Sequence, residues 1–261
     1  MRAKPVIHET AIIDGSAVIA SDVEIGPYTI VGADVQIDSG TIVGPHVVLK
    51  GPTRIGRNNR IFQFASIGED PQDLKYQGER SSLVIGDGNT IREAVTIHRG
   101  TAQDNSLTQI GNDNLFMAYV HVAHDCVLGN NIILANNATL AGHVVVEDYA
   151  ILGGFTAVHQ FTRLGSHCFT GFATALDRDV LPYFTVAGNR ARARGINKEG
   201  LARKCFKPET IRALQETYKI LVKSRGTLKD KLERASELAK LHAEVQQVID
   251  FLNRSERGWT R

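Results

Sequence analysis

The sequence predicts an all-β solenoid of six-residue steps followed by a C-terminal α-helical domain. The first observation is spacing. An aliphatic residue stands at every sixth position from Ile7 through Ile13, Ile19, Ile25, Val31, Ile37, Val43, Leu49, Ile55 and Ile61 to Ile67. In a chain that is 43% hydrophobic, chance fills those eleven positions roughly once in ten thousand trials. The period returns at Ile85, Ile91 and Ile97. It returns again at Ile110, Phe116, Val122, Leu128, Leu134, Leu140, Val146, Leu152, Val158 and Leu164. Helices repeat their apolar positions at three and four and amphipathic strands at two, so a strict six fits neither. It fits short strands that turn a corner at each step and bury one large side chain.

The second observation is the residue type found just after the inward positions. Gly stands there at Gly26, Gly32, Gly44, Gly56, Gly68, Gly86, Gly111, Gly129, Gly153 and Gly165, with Asn and Asp clustered before the next slot. Tight corners are expected to need positive φ, which Gly adopts freely and Asn or Asp tolerate. A β-sandwich would alternate its side chains and vary its loop lengths. The third observation is a change of pattern. The hexads fade after Leu176, and beyond Arg190 the spacing reads as helical.

These observations divide the chain into a solenoid of residues 1–190 and a helical domain of residues 191–261. Two hydrophilic insertions, about 69–82 and 99–108, break the period, and insertions in a repeat array form loops on one face, often the binding face. In the helical part, Pro208 and Glu209 suit a first turn, with Ile211, Leu214, Tyr218 and Leu221 on its apolar face. Gly226 stops that helix. Thr227 and Asp230 form a capping-box pattern for the next, whose apolar face is Leu228, Leu232, Ala235, Leu238 and Leu241. Val245, Val248, Ile249 and Leu252 mark a third.

Composition excludes several classes. A net charge of +2 gives no global pull towards nucleic acid. Met1 to Pro5 runs into the first repeat without the apolar core of a signal peptide, and no apolar run approaches the roughly twenty residues that span a bilayer. Cys126, Cys168 and Cys205 lack paired or zinc-finger spacing and read as reduced, mostly packing residues of a cytoplasmic protein.

Five of the nine histidines, His98, His121, His124, His143 and His159, fall between residues 98 and 159. Imidazoles are costly inside a narrow aliphatic core, so they should point outward. If three hexads make one triangular coil, residues eighteen apart stack. His124-Asp125, Gly142-His143 and His159-Gln160 then climb one edge. Solvated surface, a zinc site like that of the γ-type carbonic anhydrases, and acid–base chemistry by a neutral imidazole supported by Asp125 all fit this column.

Longer motifs decide among them. Gln63-Phe-Ala-Ser-Ile-Gly68, Asp73-Leu-Lys75-Tyr76, Ile91-Arg-Glu93, Val95-Thr-Ile-His-Arg-Gly100, Ala123-His-Asp-Cys126, Leu134 to His143 and Thr156-Ala-Val-His-Gln160 resemble the acyl-carrier-protein–UDP-N-acetylglucosamine O-acyltransferases. These enzymes begin lipid A synthesis in Gram-negative bacteria, and the resemblance covers essentially the whole chain. It implies a left-handed parallel β-helix of hexapeptide repeats, assembled as a homotrimer with active sites between neighbours. It implies transfer of an (R)-3-hydroxyacyl group from the carrier's phosphopantetheine thioester to the glucosamine 3-hydroxyl.

Carried over by position, His124 is the general base, Asp125 its polar support, and the Gly142 N–H the oxyanion donor. Asp73, Lys75, His121, His143, Gln160, Asn197, Glu199 and Arg203 are expected to hold nucleotide sugar or acyl chain. No metal and no cofactor beyond the carrier's own phosphopantetheine are expected, because a thioester is already activated. The basic run Arg190, Arg192, Arg194, Lys198, Arg203, Lys204 and Lys207 suits a diphosphate and an acidic carrier, and it lacks the interleaved aromatics of an RNA site.

Two positions depart from the family. Lys204 replaces the second of two arginines and loses the bidentate fork. Phe172 stands where long-chain members carry glycine, which suggests a shorter acyl chain. The related N-acyltransferase of the same pathway carries an extra N-terminal domain, for which hexads that begin at Ile7 leave no room.

Overall fold

The computed structural model describes residues 6–261; Met1 to Pro5, the stretch without the apolar core of a signal peptide, lie outside the described residues. Short strands, most of two residues, form a three-sided coil. Its sides stack into sheets of eleven, nine and eight strands. The register between coils is eighteen residues, with Ile25 beside Val43, Val31 beside Leu49 and Ile37 beside Ile55. Each six-residue slot therefore stacks on another. From Ile25 to Leu164 every slot is at most 3% exposed, so burial of aliphatic surface dominates the stability of this core. Ile7 remains 38% exposed because the described chain places no coil beneath it.

The insertions leave the stacking intact. Ile61 pairs with Ile91 and Ile97 with Val122, so residues 70–81 and 99–106 bulge outward without moving a slot to another face.

The corners correct one expectation. Of the ten glycines just after inward slots, only Gly68 has positive φ, at 80°. The left-handed residue comes two positions later, as at Tyr28, Asp34, His46 and Asn58, with φ between 54° and 57°, and Phe64 takes the same corner position at 65° in a step without glycine. The slot glycine serves close approach instead, since a Cβ at Gly26 would lie 2.8 Å from the Gly44 carbonyl carbon in the next coil. Aromatic residues tolerate the left-handed corner where they stack. The Tyr28 and His46 rings are 5.2 Å apart, and those of His46 and Phe64 are 5.5 Å apart.

A second correction concerns the end of the solenoid. Arg192–Ile196 is a strand, antiparallel to Phe184–Ala187, rather than the start of helical chain. Buried Ala193 and Ile196 against exposed Arg192 and Arg194 make it a one-sided edge strand, a pattern too short to outweigh the helical spacing beyond it.

Helices α1 (Lys198–Arg203), α2 (Pro208–Tyr218), α3 (Leu228–Ala239) and α4 (Ala243–Asn253) complete the chain, with a π-helical turn over Lys219–Lys223. Pro208 opens α2, and Thr227 with Asp230 forms the capping box of α3. Leu214, Tyr218, Leu221, Ala235, Val248 and Leu252 pack into a second core that also takes in Tyr183 and Phe184 from the solenoid side. Leu228 and Leu241 are 43% and 82% exposed, because they stand at the two ends of α3 beyond its packed turns.

Cys126 and Cys168 are buried and free, and burial pushes the Cys126 thiol up to about 12, which leaves it inert; Cys205 is exposed and packs nothing. Among the described residues no helix is long and apolar enough to cross a membrane.

Candidate active site

Stacking by eighteen brings His124-Asp125, Gly142-His143 and Gln160-Phe161 onto one corner. The His143 N–H donates to the His124 carbonyl, and the Phe161 N–H to that of Gly142, each at 3.1 Å. His124 lies flat against the next coil, where a Cβ on Gly142 would be 2.5 Å from its Cε1. Only a residue without a side chain leaves room for that ring.

Asp125 holds the imidazole from below. Its carboxylate is 2.8 Å from His124 Nδ1 and accepts the Thr101 hydroxyl at 2.6 Å and the Thr101 N–H at 2.8 Å. Burial pushes the Asp125 carboxyl up, but the hydrogen bonds from His124 and Thr101 outweigh it and hold the group below the usual carboxylate value. An ionised carboxylate only accepts, so Nδ1 of His124 is the donor to it and Nε2 is the nitrogen left beside Gly142. The Gly142 N–H has no acceptor among the described residues. Proline fills the same corner position at Pro27 and Pro45, so the coil does not require a donor there.

The two insertions wall a cavity of about 810 Å³ over this corner. Asp73, Lys75, Asp104, His124, His143 and Gln160 are among its lining residues. Asp73 Oδ1 accepts the Lys75 N–H at 2.9 Å in a tight local turn. His143 is set from two sides: Nδ1 is 2.9 Å from Asp104 Oδ2, and its ring stacks on Phe161 at 4.3 Å.

Homologous chains now give this corner a family. The model described as UDP N-acetylglucosamine O-acyltransferase, domain 2, matches residues 179–260. The bacterial transferase hexapeptide model matches residues 107–142. The acyl-[acyl-carrier-protein]–UDP-N-acetylglucosamine O-acyltransferase of Stutzerimonas stutzeri is 52% identical over 98% of this chain and 99% of its own. The chain belongs to that acyltransferase family. The solved structure of LpxA from Acinetobacter baumannii is 50% identical, with a TM-score of 0.95, over 98% of this chain and 100% of that one. The UDP-N-acetylglucosamine O-acyltransferase from Moraxella catarrhalis is 48% identical, also with a TM-score of 0.95, over 98% of this chain and 100% of that one. The fold is the left-handed parallel β-helix of this acyltransferase family, with a C-terminal helical region.

The five histidines do not all join this corner. His121 shares the coil of His124, on the strand His121–Val122 that runs into the corner, with Nδ1 2.7 Å from Thr96 Oγ1 and its ring 5.0 Å from that of His98. His98, expected to point into solvent, is 4% exposed. His159 is exposed and lines a separate groove with Asp177 and Arg190. Burial, reinforced by His98 and His124, lowers His121 to about 4, and burial likewise pushes His98 down. Both imidazoles are neutral at pH 7.

Their burial makes stability depend on pH. Where the folded value lies below the unfolded one near 6.5, the unfolded chain binds more protons. Stability is therefore full above about pH 6.5 and falls as pH drops towards about 4, the value for folded His121. Urea midpoints should decline across that window, and less steeply in His121→Gln. A profile of the same slope in both proteins would contradict the contribution of His121.

Asn197, Glu199 and Arg203 do not reach the cavity within one chain. Asn197 caps α1 by accepting the Gly200 N–H and donates to the His167 carbonyl at 3.0 Å. Glu199 and Arg203 pair across one turn at 3.7 Å, both more than 80% exposed. His167 lies over two coils beyond His124 and on another corner, roughly 10 Å along the axis at ordinary strand spacing. Lys204, the departure from the family's arginine, lies 4.7 Å over the Tyr149 ring.

Sequence reading missed Thr101, Asp104 and Phe161. Phe161 was within reach of the same spacing rule, eighteen residues after His143. Thr101 and Asp104 sit in an aperiodic insertion and carried no signal.

His124, Asp125 and His143 offer ligand atoms within 4.8 Å of one another. Asp125 Oδ1 accepts the Thr101 N–H, Oδ2 the Thr101 hydroxyl and His124 Nδ1, and His143 Nδ1 is held by Asp104. These bonds leave Nε2 of both histidines uncommitted, an arrangement open to acid–base chemistry as well as to an ion.

Proposed function

We propose that the chain transfers an (R)-3-hydroxyacyl group from acyl carrier protein to the glucosamine 3-hydroxyl of UDP-N-acetylglucosamine, the first step of lipid A biosynthesis. Membership of the family supports the substrates. The observation that carries the chemistry is His124: Nδ1 held by Asp125, Nε2 free beside Gly142, at the edge of a cavity walled by Asp73 and Lys75. Nε2 takes the proton as the sugar hydroxyl oxygen attacks the thioester carbonyl carbon. The new C–O bond leaves an oxyanion that the Gly142 N–H meets. When the C–S bond breaks, the imidazolium returns its proton to the departing sulfur, giving ester and free thiol. Positioning by the cavity supplies much of the remaining rate.

In this reading Asp73, Lys75, His143 and Gln160 hold the nucleotide sugar, with His121 on the strand that leads into the corner. Asn197, Glu199 and Arg203 stand outside the chain's own cavity and, in a homotrimer with sites in the clefts between neighbours, serve a neighbour's site. Phe172 limits the acyl chain. The protein works in the cytoplasm, without a membrane anchor or nucleic acid.

The direct test is transfer by purified protein, with UDP-N-acetylglucosamine and a panel of hydroxyacyl carriers. An active enzyme should form acylated sugar nucleotide and free carrier thiol in equal amounts. No product from any carrier would refute the function.

The reaction needs no metal in this reading, because the thioester is already activated. Activity should stay within about twofold after exhaustive chelation, a change too small for a lost Lewis acid worth several kcal/mol. Stoichiometric zinc in the purified protein, together with inactivation by the chelator, would instead favour a zinc hydratase of the γ-carbonic-anhydrase kind.

A further inference from the structure

We infer that Arg99 is a positioning residue that clasps the first insertion over the cavity and so sets affinity for the sugar nucleotide. The identity of the ligand rests on the function proposed above; the clasp itself does not. Arg99 comes directly after strand Thr96–His98 at the root of the second insertion and is 6% exposed. A guanidinium that deeply buried is costly unless it is well paired.

Its partners all belong to the first insertion or its root. The two terminal nitrogens donate to the Gly68 carbonyl, the Asp70 carboxylate and, at 3.3 Å, the Tyr76 hydroxyl. The Arg99 N–H donates to the Glu69 carbonyl at 3.1 Å. The Tyr76 hydroxyl also lies 3.3 Å from Asp70 Oδ1 and 3.2 Å from the Glu79 carbonyl. One hydroxyl thereby joins both legs of the insertion to the guanidinium.

Little else organises this segment. Within residues 70–81 the only N–H donated to a backbone carbonyl is that of Tyr76, to Asp73 at 3.0 Å. Asp73 and Lys75, which face the cavity, lie between the two clasped residues Asp70 and Tyr76. Holding both flanks fixes the intervening wall. Arg99 does not line the cavity, so its effect on ligand passes through the wall and not through contact. A lysine could reach only part of this set, because a point charge cannot span three acceptors as the planar fork does.

The test pairs proteolysis with kinetics in Arg99→Lys and in the milder Tyr76→Phe, which serves if Arg99→Lys does not fold. Trypsin should cut after Lys75 or Arg80 on the order of tenfold faster in Arg99→Lys than in wild type, and faster by a smaller factor in Tyr76→Phe. KM for UDP-N-acetylglucosamine should rise about tenfold, with kcat within about threefold and the KM for acyl carrier unchanged. Unchanged cleavage with unchanged sugar KM overturns the clasp, and so does a loss carried by kcat alone. If wild type transfers nothing, the proposed function fails while the trypsin comparison still decides whether Arg99 holds the loop.

Discussion

His124→Ala should lower acyl transfer on the order of 10³-fold while leaving the size of the assembly unchanged. Two features of the site set the expectation. The ring occupies no slot of the aliphatic core, so its removal creates no cavity among the stacked isoleucines and leucines. The coil-to-coil bond at this corner uses the His124 carbonyl, which alanine retains. What disappears is the imidazole that Asp125 orients with its free nitrogen against Gly142. His143 is a poor substitute. Its Nδ1 is held by Asp104 and its Nε2 lies 3.8 Å from Asp125 Oδ2, so that nitrogen is directed at a carboxylate. Transfer within tenfold of wild type, by a protein of normal mass in light scattering, would remove His124 from the base role.

The parts of this protein that repeat were legible in its sequence, and the parts that do not were hidden. A slot every six residues and a coil of eighteen placed Gly142 against His124, because stacking is local and the same at each turn. The same rule would have found Phe161 beside His143. It could not place Thr101 or Arg99, whose partners Asp125 and Asp70 lie 24 and 29 residues away across aperiodic insertions. It also misread His98, whose ring is buried against that of His121. The slot glycines show a different limit. Both left-handed φ and close backbone approach select glycine, and composition does not separate them until the coordinates show the αL residue at Tyr28 or His46. Asn197, Glu199 and Arg203 matched the family by position, yet a match says nothing about which chain of an assembly brings a residue to a site.

Phe172→Gly should relax the enzyme's choice of acyl length, from a preference near ten carbons towards acceptance of fourteen. Between the His124 corner and the corner that carries Phe172 runs one face of the solenoid. Its outward residues there are small: Thr139, Ala157 and Ala175 stack on successive coils. With Ala141 and Leu176 they line a shallow groove of about 390 Å³. A tail laid across this face from His124 ends against the corner at Phe172. That ring is 73% exposed, with an edge carbon 3.4 Å from where a Gly154 Cβ would stand, and it meets Phe155 edge-on at 5.5 Å. It therefore projects along the rim and is not folded into the core. Each methylene denied burial costs about 0.8 kcal/mol, so four methylenes cost about 3 kcal/mol, on the order of 10²-fold in kcat/KM. Removing the ring should return most of that factor to the fourteen-carbon donor and leave the ten-carbon rate nearly unchanged. The decisive comparison is wild type against Phe172→Gly on ten- and fourteen-carbon hydroxyacyl carriers. If the ratio of the two kcat/KM values is the same in both proteins, the acyl tail ends elsewhere and Phe172 is not its limit.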